Sequence, residues 1–302
     1  ADIDGYGDME IFVGTSYGVY AWHHDGTSVS GWPQHCGEVW QAITIADIDN
    51  DGKLEILAPS DKKLYVWHCN GTPCSGFPVT TDANICTSPA VGDIDGDGDM
   101  EIVLGTFINS SGYGYVYIWH HNGSSAAGWP KNVSCESSPA IGDIDEDGDI
   151  EIVVAGGIKL GGVYKAALCA FHHNGTNVSG WPVFATGIIS GNSPIIGDID
   201  GDGDMEILIS TEEYSDKFYA FHHNGTNVSG WPRIIPVHTY SGWHWIKWST
   251  PVLADIDGDG DIEIILGDEE YLFVWDLDGT YVPQNIQWGC FQYNMQHTGV
   301  YM

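Results

Sequence analysis

Basic residues are scarce: 9 lysines and arginines stand against 42 aspartates and glutamates in 302 residues, a formal net charge of −33. Nucleic acids and anionic membrane surfaces are gripped through Lys and Arg, so neither is the expected partner. No stretch approaches the ~18 apolar residues of a membrane span. Cysteines at the CxxC spacing of a zinc site are missing, and no helical periodicity is found anywhere. No phosphate-binding glycine loop and no Ser/His/Asp constellation can be assembled. The chain opens at Ala1-Asp2-Ile3-Asp4 without a leader, the expectation for a mature, trimmed or cytosolic chain.

Hydrophobic residues make up 43 % and tryptophans number 13, enough for a sizeable core in one domain spanning 1–302. The cysteines are Cys36, Cys69, Cys74, Cys86, Cys135, Cys169 and Cys290, an odd number. Cys69 and Cys74 flank the turn CNGTPC and are expected to close a short disulfide loop.

Internal repetition decides the fold class. An acidic motif occurs at 2–10, 47–55, 93–101, 143–151, 198–206 and 255–263, as in DIDGDGDME from Asp93. Trp/Phe-His-His/Cys-Asn/Asp-Gly follows at 22–26, 67–71, 119–123, 171–175 and 221–225, with Trp-Asp-Leu-Asp-Gly at 275–279 in the last repeat. Gly-Trp-Pro or Gly-Phe-Pro comes next at 31–33, 76–78, 128–130, 180–182 and 230–232. Short apolar runs lie between these marks, four to a repeat. Asn-Gly and Asp-Gly tolerate the positive φ of a type I′ hairpin. The expectation is an all-β, six-bladed β-propeller with four-stranded antiparallel blades. Strand alternation puts the acidic loops and the His-His-Asn-Gly hairpins on one face, and the remaining links on the other.

Calcium takes six to eight oxygens in a flexible cage, and alternate aspartates in a tight loop aim carboxylates at one centre. Side-chain ligands are expected at positions one, three, five and nine, with a backbone carbonyl at seven. These are Asp93, Asp95, Asp97 and Glu101 with Asp99; Asp143, Asp145, Asp147 and Glu151 with Asp149; Asp198, Asp200, Asp202 and Glu206 with Asp204; and Asp255, Asp257, Asp259 and Glu263 with Asp261. The first loop offers Asp2, Asp4, Asp8 and Glu10 but has Tyr6 at position five, so it should bind most weakly. The second offers Asp47, Asp49, Asp51 and Glu55, with Lys53 at position seven. Unpaired, such carboxylates repel, so the spacing calls for a cation, up to six calcium ions in all. Magnesium is disfavoured because it rejects irregular multi-carboxylate cages.

DxDxDGxxE followed by a β-type run resembles the FG-GAP/VCBS repeats of integrin-α-like propellers, over essentially the whole chain. The resemblance implies calcium in the same loop. The chain departs from that family in ending each loop with Glu where Asp is common, and in having six repeats where integrin-type propellers usually have seven. The family includes adhesion modules, lectin-like modules and parts of polysaccharide lyases, so fold alone does not settle function.

Adjacent strand residues point to opposite faces, so a His-His pair is expected to pack around its turn and not to hold one ion. Eight asparagines lie in N-x-S/T sequons: Asn70, Asn109, Asn122, Asn132, Asn174, Asn177, Asn224 and Asn227. Glycosylation and calcium together point to an extracellular or cell-surface protein. Loop length varies on the face opposite the acidic loops, at 107–115, at 156–165 and in the link carrying Tyr240, Trp243, Trp245 and Trp248. Rim aromatics suit a protein or glycan ligand. The expected function is a non-enzymatic binding, adhesion or surface-assembly scaffold. The alternative is a polysaccharide-active enzyme or carbohydrate-recognition propeller domain. The tail Val300-Tyr301-Met302 is expected to supply the missing innermost strand of blade one and so close the ring, or to fill the gap in a second copy by strand exchange.

Overall fold

The computed structural model describes residues 1–302 apart from 4, 188–190, 212–216, 236–248, 268–270, 294–298 and 302. Among the described residues the strands form six antiparallel sheets that follow one another along the chain. The first holds β1 (Ile11–Thr15) and β2 (Gly18–Trp22). The second holds β3 (Thr44–Ala46), β4 (Glu55–Ser60), β5 (Lys63–His68) and β6 (Val79–Thr80). The third holds β7 (Ala90–Gly92), β8 (Glu101–Gly105) and β9 (Val116–His120). In the fourth, β10 (Ser134–Cys135) and β11 (Ala140–Gly142) both pair with β12 (Glu151–Leu160), followed by β13 (Val163–His172) and β14 (Val183–Phe184). The fifth holds β15 (Ile195–Gly197), β16 (Glu206–Thr211), β17 (Lys217–His222) and β18 (Arg233–Ile234). The sixth holds β19 (Val252–Ala254), β20 (Asp261–Gly267) and β21 (Leu272–Thr280). One 3-10 turn, Pro283–Asn285, is the single helical element described.

The second strand of a repeat is buried on both faces in β4, β8 and β16, which is why it reads as an unbroken apolar run. Its core is shared with the neighbouring sheets: Ile56 and Trp67 pack with Val19 and Trp32, and Val154 with Ile207. Two devices repeat at these sheet-to-sheet junctions. The first is a hydroxyl relay. The backbone N–H of Ala42 donates to Ser88 Oγ (3.1 Å), that of Ser88 to Ser138 Oγ (3.0 Å), that of Ser138 to Ser193 Oγ (3.0 Å) and that of Ser193 to Thr250 Oγ1 (3.3 Å). It links the second sheet through to the sixth.

The second device is the Gly-Trp-Pro motif, which latches the first, third and fourth sheets to the hairpin of the next. The indole N–H of Trp32 donates to Cys69 O at 2.8 Å, that of Trp129 to His173 O at 2.8 Å and that of Trp181 to His223 O at 2.6 Å. The preceding Gly31, Gly76, Gly128 and Gly180 have φ of 87–90° and lie so close to the Asn carbonyls of the next hairpin that a Cβ would overlap them.

Three expectations change. Only the second and fifth sheets have four strands in sequence order. In the first and third the fourth strand shrinks to the bridges Val19–Gln34 and Val116–Lys131. In the sixth repeat Trp-Asp-Leu-Asp-Gly forms no hairpin; β21 runs straight through it and pairs Thr280 with Asp261.

The tail also goes elsewhere. Val300 pairs in parallel with Val91 of β7: Val91 N–H donates to Gly299 O (2.8 Å) and Tyr301 N–H to Val91 O (2.7 Å). Trp288 exchanges two hydrogen bonds with Ile196 of β15, and Leu253 of β19 donates to Gly289 O at 3.0 Å. The tail therefore does not complete the first sheet, where β1 pairs only with β2 among the described residues. The first strands β7, β15 and β19 each leave an edge of unpaired backbone groups, and the tail satisfies several of these at once. The glycine ending β11 makes room, since a Cβ on Gly142 would meet Gln287 Oε1 at 2.6 Å.

Candidate functional site

Each acidic loop is organised around its first aspartate, whose carboxylate accepts from the backbone of the turn. Asp47 Oδ2 takes the N–H of Gly52 (2.8 Å), Asp93 Oδ2 that of Gly98 (3.1 Å), Asp143 Oδ2 that of Gly148 (3.1 Å) and Asp198 Oδ2 that of Gly203 (3.2 Å). Asp2 Oδ2 accepts likewise from Gly7 (2.9 Å), and Asp2 Oδ1 and Asp255 Oδ1 accept from Gly5 and Gly258, two residues earlier in the turn, at 2.7 Å each. The fifth-position aspartates 51, 97, 147, 202 and 259 each accept the N–H two residues on, at 2.8–3.0 Å. Asp4 lies outside the described residues.

These bonds fold the carboxylates inward. Ligand atoms of Asp93, Asp95 and Asp97 lie within 4.8 Å of one another, as do those of Asp47, Asp49 and Glu55. Asp93 Oδ1, Asp143 Oδ1 and Asp145 Oδ1 are buried with no hydrogen-bond partner. A buried carboxylate oxygen without a donor is costly, and a cation supplies what is missing. The loops therefore fit a hard, oxygen-loving ion. Lys53 instead places its ammonium 2.9 Å from Asp51 Oδ2, so the second loop already holds one counter-charge.

The ninth-position glutamate and the paired histidines have a role that the motifs alone did not reveal. One Glu oxygen accepts the backbone N–H of the loop's second residue, from Ile3, Ile48, Ile94, Ile144, Ile199 and Ile256 at 2.7–3.2 Å. The other faces the first histidine of the hairpin: His23 with Glu10 (3.1 Å), His68 with Glu55 (3.1 Å), His120 with Glu101 (2.8 Å), His172 with Glu151 (3.0 Å) and His222 with Glu206 (2.9 Å). The second histidine turns to the seventh-position aspartate, as in His24 with Asp8 (2.6 Å), His121 with Asp99 (3.3 Å), His173 with Asp149 (3.8 Å) and His223 with Asp204 (3.3 Å). The two rings of a pair thus part to two different acids, and loop and hairpin share one face. Burial, reinforced by the loop aspartates, pushes the Glu151 and Glu206 carboxyls up to about 8. The same cause raises Glu55 and Glu101.

A separate cavity of about 350 Å3 lies where the hydroxyl relay runs, lined among others by Gln41, Glu136, Ser138, Ser193, Thr250 and Phe291. Beside Gln41, Trp40 is 80 % exposed, with its indole N–H on Glu38 at 2.9 Å. Of the variable loops, 156–165 proves to be a strand extension turning at Gly161-Gly162, and its Tyr164 hydroxyl donates to Gly112 O in loop 107–115. Tyr240, Trp243, Trp245 and Trp248 lie outside the described residues.

A family model described as an FG-GAP-like repeat matches residues 2–58, 47–104 and 198–266, more than half of the chain. The chain belongs to the FG-GAP-like repeat family. No curated protein matches it. Solved structures share the fold of this FG-GAP-like chain at low identity. The crystal structure of the V. cholerae biofilm matrix protein Bap1 is 16 % identical with a TM-score of 0.55, covering 92 % of this chain and 51 % of Bap1. The Dos1 propeller is 12 % identical with a TM-score of 0.52, covering 88 % and 66 %. The chain thus spans about half the length of Bap1 and about two-thirds of the Dos1 chain.

Within this FG-GAP-like chain all seven cysteines are free thiols, so the Cys69–Cys74 bridge is not formed. Cys69 Sγ points at Leu54 O, 2.7 Å away, while Cys74 is buried in the core beside Val66. Seven of the sequon asparagines are exposed and Asn109 is half-buried. Hairpin chemistry accounts for Asn70, Asn122, Asn174 and Asn224, whose Oδ1 accepts the N–H two residues on. Asp25 accepts the same bond from Thr27 in the first repeat, at 2.9 Å. No described helix is long and apolar enough to cross a membrane.

Proposed function

We propose that the six sheets are the blades of one calcium-stabilised β-propeller that serves outside the cell as a binding, adhesion or surface-assembly scaffold. The observation that carries the calcium reading is the set of buried, partnerless oxygens on Asp93, Asp143 and Asp145. Six loops of one design in six consecutive sheets support six blades. The ligand face is the one opposite the acidic loops, where the exposed Trp40 precedes Gln41 of the cavity shared by five sheets. A flat exposed indole beside hydroxyls and one amide suits a sugar or a peptide. The extracellular setting is supported by the exposed sequons and by calcium, and by the biofilm matrix protein with the same fold. The tail is read as part of its own molecule, bonded to Val91 and Ile196.

The role is read as non-enzymatic binding, against the polysaccharide-active enzyme. The test is a panel of neutral and acidic polysaccharides in calcium buffer. Binding that Trp40→Ala weakens, with no release of new reducing or unsaturated ends, is the expected result. Turnover of any member of the panel replaces this reading with the polysaccharide-active enzyme.

A further inference from the structure

The second repeat differs from the others beside its Glu–His pair. Cys74 N–H donates to Val66 O at 3.0 Å; Val29, Ala126, Val178 and Val228 make the same bond in their own repeats, to Ala21, Ile118, Ala170 and Ala220. The five positions are therefore equivalent, and only the second carries a thiol. In the third repeat the space beside this position is a cavity of about 220 Å3 bounded by Glu101, His120 and Ala126. In the second, Glu55, His68 and Cys74 each bring a ligand atom within 4.8 Å of the other two. Glu55 is 1 % and Cys74 7 % exposed, while His68 is half-exposed, so the group is held rigidly on two sides and reachable from the third.

We propose that Glu55, His68 and Cys74 form a transition-metal site of the zinc class, which borders the oxygen cage of the acidic loop and shares Glu55 with it. A thiolate and an imidazole select a borderline-soft dication over calcium or magnesium. Zinc bonds of roughly 2.0–2.1 Å to N and O at a tetrahedral angle set ligand atoms about 3.3 Å apart. His68 Nδ1 and Glu55 Oε1 already stand 3.1 Å apart, so little rearrangement is needed at that edge. On binding, the Cys74 thiol proton and any proton shared by His68 and Glu55 leave to solvent, and water takes the fourth position. Cys69 is committed to Leu54 O and is not a ligand.

Cobalt(II) is the probe, titrated into the reduced full chain in excess calcium so that the loop aspartates are occupied. The expected result is a one-equivalent rise of a near-ultraviolet thiolate-to-cobalt charge-transfer band, bleached by zinc. Cys74→Val, which installs the side chain of the first, fourth and fifth repeats, should abolish the band and weaken cobalt binding at least a hundredfold. His68→Asn should weaken it at least tenfold, and Cys69→Ser should leave it unchanged. No band in the wild type, a band that survives Cys74→Val, or one that Cys69→Ser removes overturns the site. Should Cys74→Val fail to fold, His68→Asn and Cys69→Ser decide by the same criteria.

Discussion

Glu263 is paired across its sheet with Asp276, where the four preceding sheets oppose the equivalent glutamate with a histidine. Its Oε1 is buried without a partner, and Asp261 next to it is raised by burial and by the surrounding carboxylates, Asp276 among them. A buried acceptor without a donor costs about 1–3 kcal/mol. Asp276→His should therefore stabilise the chelator-treated protein by an amount of that order, seen as a higher melting temperature. A lower one would show that the sixth loop needs Asp276 for another purpose.

Calcium should hold the fold together, and most strongly at high pH. Glu151 and Glu206 have folded-state values of about 8 against 4.5 for the free side chain. Between those limits the folded protein keeps protons that the unfolded chain has released, so cation-free stability falls as pH rises from about 4.5 to 8. Bound calcium supplies the counter-charge and removes that dependence. Melting in chelator should be lower at pH 8 than at pH 5, and the rise on adding calcium larger at pH 8. Each site saturated a hundredfold above its Kd adds about 2.7 kcal/mol. Identical melts with and without chelator at pH 8 would refute calcium stabilisation.

The Gly-Trp-Pro latch separates steric from conformational cost. Gly128 and Gly230 have φ of 87° and 85°, so alanine is strained about equally at both. A Cβ on Gly230 meets nothing, whereas one on Gly128 overlaps the Asn174 carbonyl. Gly230→Ala should cost about 1–2 kcal/mol, and Gly128→Ala clearly more in denaturant melts. Trp129→Phe, which leaves His173 O without its donor, should cost about 1–3 kcal/mol.

Seating of the tail on the third sheet makes a local prediction. Val300 is 7 % exposed against the second and third sheets, so Val300→Asp buries a charge and should destabilise the chain by several kcal/mol. Hydrogen exchange should then speed up at Val91 and Tyr301, which exchange backbone bonds across this contact. Faster exchange confined to β1, with Val91 unchanged, would put the tail back in the first sheet.

The sequence by itself determined what depends on near neighbours. The DxDxDG turns, the Asn-Gly hairpins, the apolar second strands and the repeat period are set by φ preferences and alternation over a few residues. The family and the cation-ready loops followed from them. Tertiary structure decided what depends on which groups meet across 13–21 residues in the Glu–His pairs, or 37–44 residues in the Trp latches. The histidine pairs read as packing around a turn, but the first ring, at the strand's end, meets the glutamate and the second, in the turn, meets the aspartate. Glu at position nine looked like a simple ligand, yet its oxygens are shared with a backbone amide and an imidazole. From sequence the tail is expected to complete the first sheet. Its place on β7, β15 and β19 was set by which backbone edges the folded sheets leave open, a property no local pattern records.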